Sequence, residues 1–168
     1  LEQSVCEVTP VDRRGVFHPK VWTLRFTASQ AGTPICYRLL CLSRNLTFDR
    51  SWDTALVLDG EVIDRRYGYG GNQPLAEFVE ALPGLAVRPV PAAVRAGVDL
   101  IQSELRRVKW TLPEGFTSLV FHPLGHRGRR NWPFPETADR RLVVAPFLAG
   151  GPLEQLSVLH PSSSCHSS

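Results

Sequence analysis

Apolar and polar positions alternate along the first third of the chain, and this pattern predicts β-strands. Residues 16–28 alternate apolar side chains with polar neighbours, and residues 35–42 form a mostly apolar run. The first pattern is typical of a half-covered strand, and the second suits a strand covered on both faces. Shorter stretches of the same kind occupy residues 4–9, 54–58 and 61–63. Asp59 and Gly60 predict a turn before the last of these stretches.

The pattern then changes to a helical period. Residues 74–82 predict a short helix that begins at Pro74, after a glycine-rich loop. Residues 92–109 form the clearest amphipathic helix, with apolar side chains recurring at Val94, Val98, Ile101, Leu105 and Val108. Two further strands are predicted at residues 117–121 and 141–147, and another helix begins at residues 153–159. The mixture predicts an α/β fold, with a mixed β-sheet and flanking helices.

Composition limits the class of protein. At 168 residues the chain has room for one domain and little more, and it is 43% hydrophobic and 21% charged, as in ordinary globular proteins. Its apolar runs are far shorter than the roughly 20 residues that cross a bilayer. The four cysteines include no CxxC pair and no zinc-site spacing. We therefore predict a cytoplasmic protein with no membrane contact, no metal and no cofactor.

Positive charge is concentrated in one late segment. All basic residues except Lys20 and Lys109 are arginines, and Arg127, Arg129 and Arg130 lie just before Trp132. Guanidinium groups bind phosphate well, and an indole can stack on an unpaired base. These four residues predict a nucleic-acid-binding loop. The alternatives are that arginine usage reflects a GC-rich genome and that Trp132 holds the loop against the core.

Two short segments have the residue types of a phosphate site. His18 and Lys20 stand two residues apart at the start of a strand, so their side chains share one face. The ammonium disfavours a second positive charge on the imidazole and attracts an anion. Ser43 and Asn45 follow the apolar strand, and their hydroxyl and amide groups can donate to phosphate oxygens. A chance basic pair and a polar turn are the structural alternatives.

Together, His18-Pro19-Lys20 and the later sequence SRNLT resemble the nuclease-like branch of the phospholipase D-like superfamily, over about residues 16–60. The resemblance implies a metal-independent phosphodiesterase with a covalent phosphohistidine intermediate. In that scheme His18 is the nucleophile, Lys20 and Asn45 are phosphate ligands, Ser43 precedes the asparagine, and Asp53 is a downstream orienting acid.

The sequence departs from the superfamily pattern in three places. Arg25 stands where many members have an acid, Leu42 replaces a small residue before the serine, and the acid after NLT lies nearer than the pattern expects. The superfamily also builds its site from two HxK motifs, and this chain has one complete motif. The resemblance therefore implies either a homodimer or a missing second half. We expect residues 1–140 to form one repeat, residues 141–159 to begin a second, and residues 160–168 to be a disordered tail.

The chain begins at Leu1 and contains no methionine, so we expect it to be a piece of a longer protein. The expected partner is nucleic acid, DNA in preference to RNA. One alternative is an inactive binding module of the same fold, within a larger restriction or defence protein. Another is an interaction fragment in which the two motifs are coincidental, and there His18 and Asn45 would lie too far apart to share one phosphate.

Overall fold

A sheet flanked by helices forms the described part of the chain. The computed structural model describes residues 5–10, 16–30, 32–44, 50 and 52–125, all within one compact unit. Four strands lie side by side in chain order: β1 (Val21–Phe26), β2 (Cys36–Leu42), β3 (Ala55–Val62) and β4 (Val108–Trp110). Two helices, α1 (Gln73–Ala81) and α2 (Ala92–Leu105), lie between β3 and β4. The predicted combination of sheet and helices is confirmed.

Strand direction corrects the expectation of a mixed sheet, because every described strand is antiparallel to its neighbours. The connections at residues 27–35 and 43–54 each return the chain beside the strand it has just left. Between β3 and β4 the chain makes two helices rather than one. The second helix brings it back to the end of the sheet where β3 finished, whereas a single crossover helix gives a parallel pair.

The helices cover one face of the sheet. The buried core consists of Tyr37, Leu39, Leu58 and Val108 from the strands and Leu75, Ala76, Val79 and Leu105 from the helices. On the opposite face, Trp22, Leu40 and Val57 are aligned across β1, β2 and β3. Trp22 keeps 47% of its surface exposed there. Alternation along β1 therefore separates a packed face from an open one.

Gly60 continues a strand where the sequence predicts a turn. It lies inside β3 and is paired with Trp110 of β4. A Cβ atom at this position would lie 2.6 Å from Val108 Cγ1 and 2.8 Å from the carbonyl oxygen of Lys109. Glycine is needed here because it lets β4 approach closely, and the turn prediction is wrong for this reason.

The ends of the later elements also differ from prediction. Helix α1 matches the predicted range within one residue, but α2 ends at Leu105 rather than at residue 109. Val108, predicted as the last member of the helical stripe, is buried in β4 instead. No strand forms at residues 117–121, where Phe121 packs edge-on against Trp110 with ring centroids 6.3 Å apart. The three-residue β4 offers few backbone groups for a further strand.

A buried asparagine explains why α2 stops early. Asn72 Nδ2 donates to the carbonyl oxygens of Leu105 at 2.9 Å and of Val108 at 2.7 Å. Trp110 Nε1 donates to Asn72 Oδ1 at 3.1 Å. The last carbonyl groups of a helix have no partner within the helix, and the Asn72 side chain satisfies that of Leu105 together with one carbonyl of β4. Asn72 thereby fixes the turn from α2 into β4.

Replacing Asn72 with alanine should lower the free energy of unfolding by about 3 kcal/mol or more. The change leaves two buried carbonyl groups and an indole N–H without partners, and each such group costs about 1–3 kcal/mol. Urea denaturation measures the loss as a lower midpoint at unchanged slope. Ser103→Ala is the matched control, because it removes one exposed side-chain bond to the carbonyl of Leu100. Equal losses in the two variants would contradict the role given to Asn72.

Candidate functional site

The predicted motifs meet at one end of the sheet. The amide N–H of Leu42 donates to the carbonyl oxygen of Lys20 at 2.9 Å, and the N–H of Ser43 donates to that of Thr54 at 3.0 Å. The first bond continues the pairing of β1 with β2 as far as Lys20, and the second continues the pairing of β2 with β3 as far as Ser43 and Thr54. In an antiparallel sheet, the start of one strand lies beside the end of the next. We call this region the motif end of the sheet and define it by His18, Lys20, Ser43, Arg44 and Asp53.

His18 and Lys20 contact each other directly. Lys20 Nζ lies 3.1 Å from His18 Nδ1, and the imidazole is exposed. An ammonium group has only donors, so Nδ1 must accept this bond. A neutral ring that accepts at Nδ1 keeps its proton on Nε2. In this arrangement the histidine and the lysine therefore present two N–H donors, and no ring lone pair is free for attack.

Ser43 and Asp53 join the end of β2 to the start of β3. Ser43 Oγ donates to Asp53 Oδ1 at 3.0 Å and accepts the backbone N–H of Thr54 at 2.9 Å. Arg44 Nε lies 3.7 Å from the same Asp53 oxygen. Because its hydroxyl proton is already used, Ser43 holds the loop in place rather than presenting a donor to a ligand. Asp53 likewise acts on the loop through Ser43 and Arg44.

The described residues thus place two side-chain pairs, His18–Lys20 and Ser43–Asp53, at the same end of the sheet. Asn45, Arg127, Arg129, Arg130 and Trp132 lie outside the described residues, as do the predicted elements at residues 141–147 and 153–159. Arg44 was not among the predicted site residues, although it lies between two of them, Ser43 and Asn45. Sequence reasoning also overlooked Trp22 as an exposed side chain, because β1 has apolar residues on both of its faces.

Arg25, the position where the superfamily pattern expects an acid, belongs to a buried cluster instead. Its Nε and Nη2 atoms donate to the two carboxylate oxygens of Glu104 at 2.7 and 2.8 Å. Tyr37 donates to Glu104 Oε2 at 2.5 Å. The side chains of Arg25 and Glu104 are 25% and 6% exposed. A guanidinium on the covered face of β1 therefore has a structural partner on α2 and is not part of the motif end.

This cluster shifts the ionisation of its members. The hydrogen bond from Arg25 lowers the pKa of Glu104 below its ordinary value, against the opposing effect of burial, and the bond from Tyr37 lowers it further. Burial raises the pKa of Tyr37, and so does its bond to Glu104. The bond to Glu104 also raises the pKa of Arg25. The cluster is therefore an ionised pair with a neutral phenol at neutral pH.

Acid should destabilise the protein through Glu104. Because its pKa is lower in the folded state, the unfolded chain binds the proton more readily. The stability from this group is complete above the unfolded value of about 4.5 and is lost as pH falls through the folded pKa. Urea denaturation measures the free energy of unfolding of each protein from pH 6 down to pH 3. Compared with its own value at pH 6, the wild type should lose more stability than Glu104→Gln. Parallel pH profiles would exclude Glu104 as the source.

An apolar cavity of about 430 Å³ lies on the covered side of β1. Its lining includes Phe17, Pro19 and Val21, with Val94 and Val98 from α2. These β1-side residues alternate with His18 and Lys20, and alternate residues of an extended chain point to opposite faces. Phe17 also stacks on Phe78, with ring centroids 6.2 Å apart. The cavity therefore lies on the face opposite to the side chains of His18 and Lys20 and gives these two residues no pocket.

Comparison with known proteins does not place the chain in a family: no family model, no curated protein and no solved structure matches it. In the part of the chain that the structure describes, no group of three or more His, Cys, Asp or Glu residues could hold a metal ion. Among the same residues, neither helix is long and apolar enough to span a bilayer.

Proposed function

We propose that this chain is a metal-independent phosphodiesterase of the phospholipase D-like kind, acting on nucleic acid and on DNA in preference to RNA. The phospholipase D-like fold is part of the proposal. One observation supports it above the others: the His18–Lys20 contact lies at the same end of the sheet as the Ser43–Asp53 bond. Three separate segments of the sequence thus supply the motif residues at one end of the sheet.

In the proposed reaction, a phosphodiester first binds to the Lys20 ammonium, which leaves His18 Nδ1. The ring proton can then reside on Nδ1, and the Nε2 lone pair attacks phosphorus. The P–O bond to the leaving group breaks, and the leaving oxygen takes a proton from an acid. Water then attacks phosphorus and gives a proton to the group that protonated the leaving oxygen, the P–N bond breaks with its electron pair returning to Nε2, and His18 regains a neutral ring. Lys20 and Asn45 stabilise the negative charge on the non-bridging oxygens.

The acid that protonates the leaving group comes, in this proposal, from a second histidine. Either a second copy of the chain or a further repeat supplies it, and a homodimer would present the same surface from each copy. His18 cannot serve as both nucleophile and acid in the first step, because its lone pair forms the new bond to phosphorus. Activity should therefore depend on the assembly state.

The test is cleavage of labelled single- and double-stranded DNA in EDTA, with the oligomeric state measured in the same samples. We expect EDTA-resistant cleavage and a covalent adduct between protein and nucleotide that survives alkali but not acid, as a phosphohistidine bond does. A dimer would supply the second histidine. Cleavage that stops in EDTA, or a dimer that is folded and inactive, would overturn the proposal.

The arrangement of donors at the motif end favours a second candidate, an inactive phosphate-binding module. Lys20 Nζ and His18 Nε2–H are two donors on one surface, and they can hold a phosphate without any attack. Such a module binds nucleic acid with a steep dependence on salt. It shows no turnover in any assembly.

A further inference from the structure

We propose that Trp22 is a base-stacking residue and that the nucleic acid bound at the motif end is single-stranded, with unpaired bases. The proposal rests in part on the proposed function, because it takes the phosphate to be held by Lys20. It extends that function by naming the state of the substrate and a residue that selects it. The candidate Trp132, predicted from sequence for stacking, lies outside the described residues.

Trp22 lies on the same face of the sheet as the motif pair. The contact between His18 and Lys20 shows that their side chains share a side. The carbonyl of Lys20 is bonded to Leu42, so the extended backbone of β1 already begins at Lys20. Two residues further along an extended strand, a side chain returns to the same face. Trp22 is therefore the next side chain along this face after Lys20.

The surface around Trp22 is open and apolar. Its partners across the sheet are Leu40 and Val57, and Val57 is itself 48% exposed. An indole in the middle of a strand usually belongs to a core, yet nearly half of Trp22 is accessible. The face it occupies is the one that the two helices leave uncovered. A flat aromatic ring on such a face can receive another planar ring.

The charges beside Trp22 indicate that the planar ring it receives is a nucleic-acid base. Among the described residues, Lys20 contacts His18 and no carboxylate, so its ammonium is available to an anion. The next charged row beyond Trp22, Arg38 and Asp59, is already neutralised as an ion pair. A cation followed directly by an apolar aromatic surface complements a nucleotide, in which a negatively charged phosphate is followed by a planar base. In a duplex the base faces are stacked on each other, so only unpaired bases can reach the indole.

The test measures binding of the full chain to a short labelled oligothymidylate by fluorescence anisotropy in EDTA. Trp22→Ala should weaken binding roughly 5- to 150-fold, since stacking on an aromatic side chain contributes about 1–3 kcal/mol per base. Phe26→Ala is the matched control, because Phe26 lies on the same strand and face, is 49% exposed, and is farther from Lys20. Trp22→Phe should retain most of the affinity. An abasic strand should bind wild type and Trp22→Ala equally.

Several results would overturn the stacking role. Equal losses for Trp22→Ala and Phe26→Ala, or equal losses on abasic and base-bearing strands, would do so. So would a Trp22→Ala defect seen on anionic lipid vesicles instead of on the single strand. EDTA-resistant cleavage that is unchanged by Trp22→Ala would reject the stacking role and support the proposed phosphodiesterase activity. Binding that depends on Trp22, without cleavage in any assembly, would support stacking and reject the phosphodiesterase.

Discussion

Replacing His18 with glutamine is expected to lower the rate of phosphodiester cleavage by roughly 10⁴-fold or more, the scale of losing a covalent nucleophile. Glutamine keeps a polar side chain of similar reach, but its amide nitrogen has no lone pair that can bond to phosphorus. The covalent intermediate would then not form. The measurement is the initial rate in EDTA, in whichever assembly makes the wild type active.

His122→Gln is the matched control for this experiment. His122 is also an exposed histidine followed by a proline, but it lies outside the motif end. Its replacement should leave the rate unchanged, and both variants should unfold at the wild-type urea midpoint. Turnover by His18→Gln comparable to that of His122→Gln would mean that His18 is not the nucleophile.

Replacing Arg25 with alanine should lower the free energy of unfolding by about 3 kcal/mol, the lower end of the range for breaking a buried ion pair. The loss arises because the Glu104 carboxylate stays buried with Tyr37 as its remaining donor in the cluster. The lower end applies because Arg25 is 25% exposed, and its removal gives water a path toward the carboxylate. Denaturation in urea at pH 7 measures the change.

Arg38→Ala tests whether burial is the cause. Arg38 makes an equally well-formed two-bond pair, at 2.7 and 3.0 Å, with Asp59 on the open face of the sheet. Exposed pairs contribute little, so this variant should unfold at nearly the wild-type midpoint. Arg25→Lys should fall between wild type and Arg25→Ala, because an ammonium keeps the charge but not the paired geometry. If Arg25→Ala behaved like Arg38→Ala, the buried cluster would not stabilise the fold.

The elements that the sequence predicts best are those whose pattern is local. The apolar run of β2 and the stripe of α1 each predict their element within one residue, and the alternation over residues 16–28 contains the shorter β1. The motif end depends on strand direction, which the sequence did not predict. Antiparallel neighbours joined by short connections place His18 and Ser43 at one end of the sheet.

What the sequence did not reveal depends on contacts between distant residues. Asn72 reads as part of a glycine-rich loop, and only its bonds to Leu105 and Val108 show why α2 stops. Gly60 has the local signature of a turn, and only the approach of β4 makes it a strand residue. Arg25 did offer a signal: a charged side chain on the covered face of a strand predicts a buried partner. Its identity as Glu104 requires the packing of α2.

The order of the strands also bears on how the chain folds. β1, β2 and β3 pair with partners that are near in sequence, whereas β4 can pair with β3 only after residues 63–107 have closed a long loop. Closing that loop costs conformational entropy before Val108 or Trp110 gains any contact. The three-strand meander can therefore assemble first, and β4 docks later with the Asn72 bonds. Interactions that form after the barrier slow unfolding rather than speed folding, so Asn72 should determine how long the native state persists once it has formed.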